Sequence, residues 1–91
     1  MSERDLQRYV LDVARVRGWL VYHTFDSRRS QPGFPDLILL RGERQVAAEL
    51  KVGRSKPTEA QEIWLDAFHE AGAQVCIWRE ADLDAIAEIL R

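Results

Sequence analysis

A 91-residue chain that is 46% apolar and 31% charged has room for one compact core and is not composed like a disordered or fibrous protein. One cysteine, Cys76, excludes an internal disulfide, and it sits in an apolar run where a buried core thiol is expected. No apolar stretch reaches membrane-spanning length and the N-terminus has no signal-peptide pattern, so the expectation is a soluble, cytoplasmic protein without a membrane partner. The net charge of −2 does not suggest a polyanion binder, but the charge is unevenly distributed. From Arg28 to Lys56 there are seven basic residues against three acidic; from Pro57 to Arg91 there are two against eight. The basic surplus surrounds the stretches singled out below, and local charge governs whether an anion enters a cleft.

Leu6, Tyr9, Val10, Val13 and Ala14 recur at helical spacing and predict a helix over 2–17. Ser2 and Asp5 form a box-like start, and Gly18 stops the helix. Residues 19–25 are aromatic and β-branched and predict a strand, with Trp19, Val21 and His23 on one face. His23 has no second His or Cys at ligand spacing, which argues against zinc and for a structural role. A polar loop, 26–33, carries Arg28, Arg29 and Ser30 to the start of a second strand, 34–41. The run Leu37-Ile38-Leu39-Leu40 predicts burial on both faces of that strand. Arg41-Gly42-Glu43-Arg44 turns the chain back into a third strand, 45–52. Gly53 to Pro57 is a basic connector containing Arg54 and Lys56. Thr58-Glu59-Ala60-Gln61 opens a helix to Ala71 whose inward stripe is Gln61, Trp64, Leu65 and Phe68. A last strand, 74–78, precedes a short helix capped by Asp82 with Leu83, Ile86, Ala87 and Leu90 inward. Three strands in a meander, a helical crossover and a parallel fourth strand make a small mixed α/β sheet with helices on both faces.

The chemistry concentrates in Gly33-Phe34-Pro35-Asp36 and Ala48-Glu49-Leu50-Lys51. Residues two apart in a strand share a face, so Glu49 and Lys51 point the same way, and the hairpin brings Asp36 beside them. Two carboxylates suit Mg²⁺, which takes oxygen ligands and phosphate oxygens; the Leu50 main-chain carbonyl is a further oxygen ligand. Lys51 would stabilise developing negative charge, or orient or deprotonate a water. The plainer alternative is a surface Glu–Lys pair with a turn-initiating Asp. Glu3 has a plain role in complementing the helix dipole, Gln61 in capping, and the loop arginines in simple solvation.

The pattern Pro35-Asp36 then Glu49-Leu50-Lys51 resembles the signature of the PD-(D/E)xK nuclease superfamily. Gly18-Trp19, Tyr22-His23-Thr24, Asp26-Ser27-Arg28-Arg29-Ser30, Gly33-Phe34-Pro35-Asp36-Leu37, Ala48-Glu49-Leu50-Lys51, Gln61, Ala71-Gly72, Val75 and Trp78 resemble the VRR-NUC family within it. The resemblance spans nearly the whole chain, which implies one VRR-NUC domain over 1–91, of the stand-alone phage or bacterial type. It implies a restriction-endonuclease-like αβββαβ core and Mg²⁺- or Mn²⁺-dependent hydrolysis of DNA. Asp36 and Glu49 would hold metal, Lys51 would be the catalytic lysine, Gln61 a further catalytic residue and Glu3 an additional metal-side carboxylate. A stand-alone module of this kind is similar to small homodimeric enzymes that cut branched DNA such as four-way (Holliday) junctions, so the resemblance implies a homodimer acting on that DNA. Alternatives are a monomeric flap or nicking nuclease, and a non-catalytic DNA-binding module of the same fold.

Overall fold

A computed structural model describes residues 1–91, the Ser27 side chain excepted. The element order is α1 (Glu3–Val16), β1 (Leu20–His23), a 3₁₀ turn (Ser27–Arg29), β2 (Leu37–Arg41), β3 (Arg44–Leu50), α2 (Glu59–Glu70), β4 (Gln74–Trp78), a second 3₁₀ turn (Glu80–Asp82) and α3 (Leu83–Ile89). The strands form one sheet in the order β1-β2-β3-β4. The first three pair antiparallel, and β4 lies parallel to β3, as the crossover over α2 requires. The restriction-endonuclease-like core, with its extra C-terminal helix, is therefore present.

α1 forms where its apolar stripe meets its caps. Ser2 Oγ accepts from the Asp5 amide at 3.1 Å and the Asp5 carboxylate accepts from the Ser2 amide at 3.2 Å, a complete capping box with Asp in the acidic place. Leu6, Val10 and Ala14 are fully buried against Leu37, Leu39, Val46, Ala48 and Leu50, with Ile86 and Leu90 of α3 closing the same layer. Each such aliphatic side chain contributes about 1.5–3 kcal/mol by burial.

Several details depart from the sequence reading. The strands are shorter at the ends, because the residues around 24–36 and 51–52 bond outside regular ladders. β2 is not buried on both faces: Leu40 is 41% exposed, and beside it on β1 Leu20 is 73% and Tyr22 57% exposed. The cause is the seat of α2, which packs on β4 and on the 32–34 stretch and leaves the β1–β2 part of its face open. In α2 only Leu65 is fully buried, while Trp64 and Phe68 form a half-buried aromatic cluster with Phe34. Asp82 does not cap α3; its carboxylate accepts from the Arg79 amide at 2.8 Å and closes the preceding 3₁₀ turn. Trp19 precedes the strand. It is buried, donates through Nε1 to the Leu90 carbonyl at 2.8 Å, and is stacked by Arg41 and Arg44 at 4.6 and 4.8 Å.

Gly33 fixes how α2 meets the sheet. Its φ is +87°, and a Cβ there would stand 2.4 Å from the Ala60 carbonyl group and 2.7 Å from the Gln61 amide nitrogen. Both the backbone conformation and the close approach demand glycine. Gly33→Ala is expected to lower the melting temperature by about 10 °C or more, from strain of roughly 1–3 kcal/mol plus the clash. Thermal unfolding followed by circular dichroism checks this; an unchanged midpoint would contradict the seating.

Candidate active site

The site lies where β2 begins and β3 ends. Leu37 pairs with Ala48, so one further step of the antiparallel register sets Asp36 opposite Glu49. Asp36 is held by its surroundings on both sides. Its main-chain carbonyl accepts from the Thr24 amide at 2.9 Å, and the Thr24 hydroxyl donates to the Pro35 carbonyl at 3.0 Å. Its carboxylate Oδ2 accepts from the Leu50 amide at 2.9 Å. That bond ties the side chain that opens β2 to the backbone that ends β3.

Glu49 is 1% exposed, and it is the one charged residue type in an otherwise apolar set of buried side chains among the described residues. Its Oε2 has no hydrogen-bond partner among them. Burial pushes its carboxyl up to about 9, with the hydrogen-bonded Asp36 carboxyl and its charge adding to the effect and Lys51 opposing it. Glu3, at the first turn of α1, is also raised, first by partial removal from water and then by Asp36, again opposed by Lys51. Three carboxyl groups and one ammonium group thus act on one another at this corner of the sheet. No three of the described His, Cys, Asp and Glu residues close into a metal-sized cluster, so Glu3 joins the site electrostatically and not as a third member of the Asp36–Glu49 contact.

The Leu50 carbonyl has an orientation that follows from the ladder. The Lys51 amide donates to the Trp78 carbonyl of β4 at 3.0 Å. Across a trans peptide the carbonyl points away from the next amide, so the Leu50 oxygen faces the β2 side, where Asp36 stands. The two carboxylates and this carbonyl are the oxygen atoms that could hold a hard divalent cation. The unpartnered, buried Glu49 oxygen fits such an ion: an acceptor removed from water without a partner costs about 1–3 kcal/mol, and a carboxylate more.

Gln61 is engaged in the fold. Its Oε1 accepts from the Thr58 amide at 2.8 Å and its own amide donates to Thr58 Oγ1 at 3.2 Å, completing the α2 capping box. Arg28 and Arg29 project into solvent from the 3₁₀ turn, with Asp26 beneath them: its carboxylate accepts from the Arg28 amide at 3.0 Å and lies 3.3 and 3.8 Å from the two guanidinium groups. The Ser30 hydroxyl donates to the Asp26 carbonyl at 3.2 Å and so serves the turn itself. Arg54 and Lys56 are exposed on the connector, which is pinned at Gly53 by Glu80, whose two oxygens accept from the Gly53 amide at 3.1 and 3.0 Å.

Two of the arginines in the basic surplus do not surround the site. Arg41 donates to the carbonyls of Arg17, Leu90 and Arg91, and Arg44 to the Ile89 carbonyl and Gln74. They lie at the far end of β2 and β3, about 16 Å along the sheet from Asp36, where they bind the C-terminal helix. Sequence reading missed a cleft beside Glu3 that is lined by Arg4, Gln7, His23, Thr24 and Phe25. The outward positions of α1 were the signal available for it.

An αβββαβ core with two carboxylates and a lysine converging at the β2–β3 corner defines a nuclease-type domain of the restriction-endonuclease-like class. A family model described as the VRR-NUC domain matches residues 4–81, and the chain belongs to that family, whose domain is a nuclease domain acting on DNA. Two solved structures share the fold. One, named "VRR_NUC domain", is 24% identical with a TM-score of 0.76 over 94% of each chain. Another, named "VRR_NUC domain protein", is 18% identical with a TM-score of 0.73 over 99% of this chain and 85% of its own. The comparison with curated proteins found no match.

The Glu49 shift has a sign that can be checked. Between the ordinary carboxyl value of 4.5 and about 9, the folded metal-free chain holds a proton that the unfolded chain has lost. That contribution to stability is complete below the unfolded value and disappears as the pH rises through the folded one. In EDTA, Glu49→Gln, which keeps a neutral side chain of the same shape, should therefore lose less stability than the unaltered protein from pH 5 to pH 9. The gap in melting temperature should reach at least about 5 °C by pH 9. Parallel curves would contradict the buried, proton-retaining carboxyl.

Proposed function

We propose that this domain is a metal-dependent, structure-selective DNA endonuclease, and that it acts as a homodimer on branched DNA such as the four-way junction. The observation that carries the catalytic part is the buried, unpartnered Glu49 oxygen beside Asp36, with Lys51 acting on the Glu49 and Glu3 carboxyl groups. Asp36, Glu49 and the Leu50 carbonyl would hold Mg²⁺ or Mn²⁺, with Glu3 biasing the charge of the site from α1. A divalent ion bound there supplies a Lewis acid and a more acidic water.

The protein's own groups supply the rest. The Leu50 amide orients the Asp36 carboxylate, so it does not rotate away from Glu49. Lys51 places one positive charge beside a scissile phosphate and favours the more negative transition state. Gln61 supports the site through the α2 cap, which sets the Gly33–Asp36 stretch against that helix. Arg28, Arg29, Arg54 and Lys56 give the exposed positive charge on two loops flanking the site, suited to phosphates on either side of the cut, with Ser30 shaping the first loop. Asp36→Ala and Lys51→Ala should each lower cleavage of labelled four-way, flap and linear DNA by at least about 10²-fold with Mg²⁺ or Mn²⁺. Calorimetry should show Mn²⁺ binding that is lost in Asp36→Ala. Undiminished cutting by both variants would remove the catalytic assignment, and metal-independent DNA binding without cutting would favour the non-catalytic module.

The dimer rests on the uncovered part of the sheet. Leu20, Tyr22 and Leu40 share one face of β1 and β2 and are exposed where α2 does not reach. An apolar sheet face of this kind suits a second copy of the chain, and a two-fold pair of sites suits two symmetric cuts. Leu20→Glu should convert a dimer into a monomer in sedimentation and uncouple the paired cuts on a junction. A monomeric unaltered protein would instead support the flap or nicking reading.

A further inference from the structure

Exposed positive charge on this chain is not confined to the loops. On α1, Arg4, Arg8 and Arg15 fall within about 40° of one another around the helix axis at ~100° per residue. They lie away from the buried stripe of Leu6, Val10 and Ala14. A groove of about 480 Å³ runs along them, lined also by Gln7, Leu11 and Asp12. Asp12 pairs with Arg15 at 3.7 Å on the open surface, so the groove keeps a positive excess. Arg4 and Gln7 also line the next cleft, about 400 Å³, together with Glu3, His23, Thr24 and Phe25. Glu3 in turn is under the influence of Asp36 and Lys51. The two clefts share Arg4 and Gln7 and therefore adjoin along α1, from Arg15 to Glu3.

Phe25 lines the cleft at the Glu3 end. Phe25 is 92% exposed, so its apolar ring is left in water. The backbone beside it is fixed: Thr24 is bonded to Pro35 and Asp36, and Asp26 caps the turn that carries Arg28 and Arg29. The nearest ring is His23, 6.1 Å away and tilted by 46°, so one broad face of Phe25 stays open. An exposed apolar plane, flanked by the bonded Thr24 and Asp26, at the mouth of a positive groove matches the way unpaired nucleic-acid strands are held, by cations on the backbone and an aromatic face under a base.

We infer that the α1 groove is a track for one DNA strand, with Arg4, Arg8 and Arg15 on its phosphates and Phe25 stacked on an unpaired base next to the scissile position. The inference rests on the nuclease reading and deepens it. The track spans about 16 Å from Arg4 to Arg15, the axial length of four to five nucleotides at roughly 3.4 Å each. A ring that needs a free base face also supplies a reason to prefer branched over fully paired DNA: at a branch, a base can leave the stack with fewer pairing contacts to break.

The test measures the binding of fluorescently labelled four-way and linear duplex DNA in Ca²⁺ over a range of salt. A 2-aminopurine base at the branch reports stacking. The Arg8→Ala/Arg15→Ala double variant should bind the junction at least tenfold more weakly, and its slope of log affinity against log salt should be shallower by about 1.4–1.8. Phe25→Ala should lose about tenfold on the junction but little on linear duplex, keep its salt slope, and no longer quench the 2-aminopurine; Phe25→Trp should restore both. Circular dichroism and sedimentation accompany each variant. If the unaltered protein neither binds nor cuts DNA, the nuclease reading fails and this track fails with it. If it does both while the α1 and Phe25 variants behave like it, the track alone is overturned. Loss in Phe25→Ala together with a change in oligomeric state also overturns it, because the ring would then belong to a protein interface.

Discussion

The hydrogen bond from the Leu50 amide to the Asp36 carboxylate is the constraint on which the site depends. It joins the first residue before β2 to the last of β3, and it holds one carboxylate against another that is buried with an oxygen unpartnered among the described residues. Burial disfavours a charge on Glu49 and the neighbouring Asp36 carboxylate adds to the effect, so Glu49 keeps its proton to about pH 9 in the metal-free chain. Proton and cation are alternative ways of resolving the same strain. Under the metal-dependent reading proposed above, a cation would compete with that proton, and the buried charge weakens the fold when neither is present.

The architecture around that bond divides labour between the ends of the sheet. At one end, Asp36, Glu49 and Lys51 meet the N-terminus of α1, and the loop from Thr24 to Gly33 is pinned by Asp26 and Thr24. At the other, Arg41 and Arg44 close on Trp19 and gather the carbonyl ends of α1 and α3. Bonds to carbonyls at a helix C-terminus satisfy acceptors that the helix leaves open, and the positive charge suits the helix dipole. Two arginines that raise the local positive charge in the sequence thus act as ties for the C-terminal helix. Further solvent-facing cations lie on α1, on the Arg28–Arg29 turn and on the 54–56 connector.

The same separation explains the position of the apolar surface. Gly33 draws α2 tight against the 33–36 stretch and β4, so the helix cannot also cover β1. The open side of that trade-off is Leu20, Tyr22 and Leu40. One close approach, permitted by a missing Cβ, sets both the support behind Asp36 and the face left uncovered.

Read alone, the chain defined its elements well, because the signals are local. Helical periodicity located α1 and α3, capping residues located α1 and α2, and the Arg41–Arg44 turn located the β2–β3 hairpin. It also marked Asp36, Glu49 and Lys51, since strand alternation and a hairpin are enough to bring those residues to one corner. What it left undecided depends on distances between elements far apart in sequence. Burial of one Glu49 oxygen without a partner, Asp82 closing a turn instead of capping α3, Arg41 and Arg44 reaching the last residues, and the meeting of the α1 groove with Phe25 all arise only after packing. Residue type and spacing state which groups are available; only the tertiary structure decides which are removed from water, which find partners, and which remain facing a substrate.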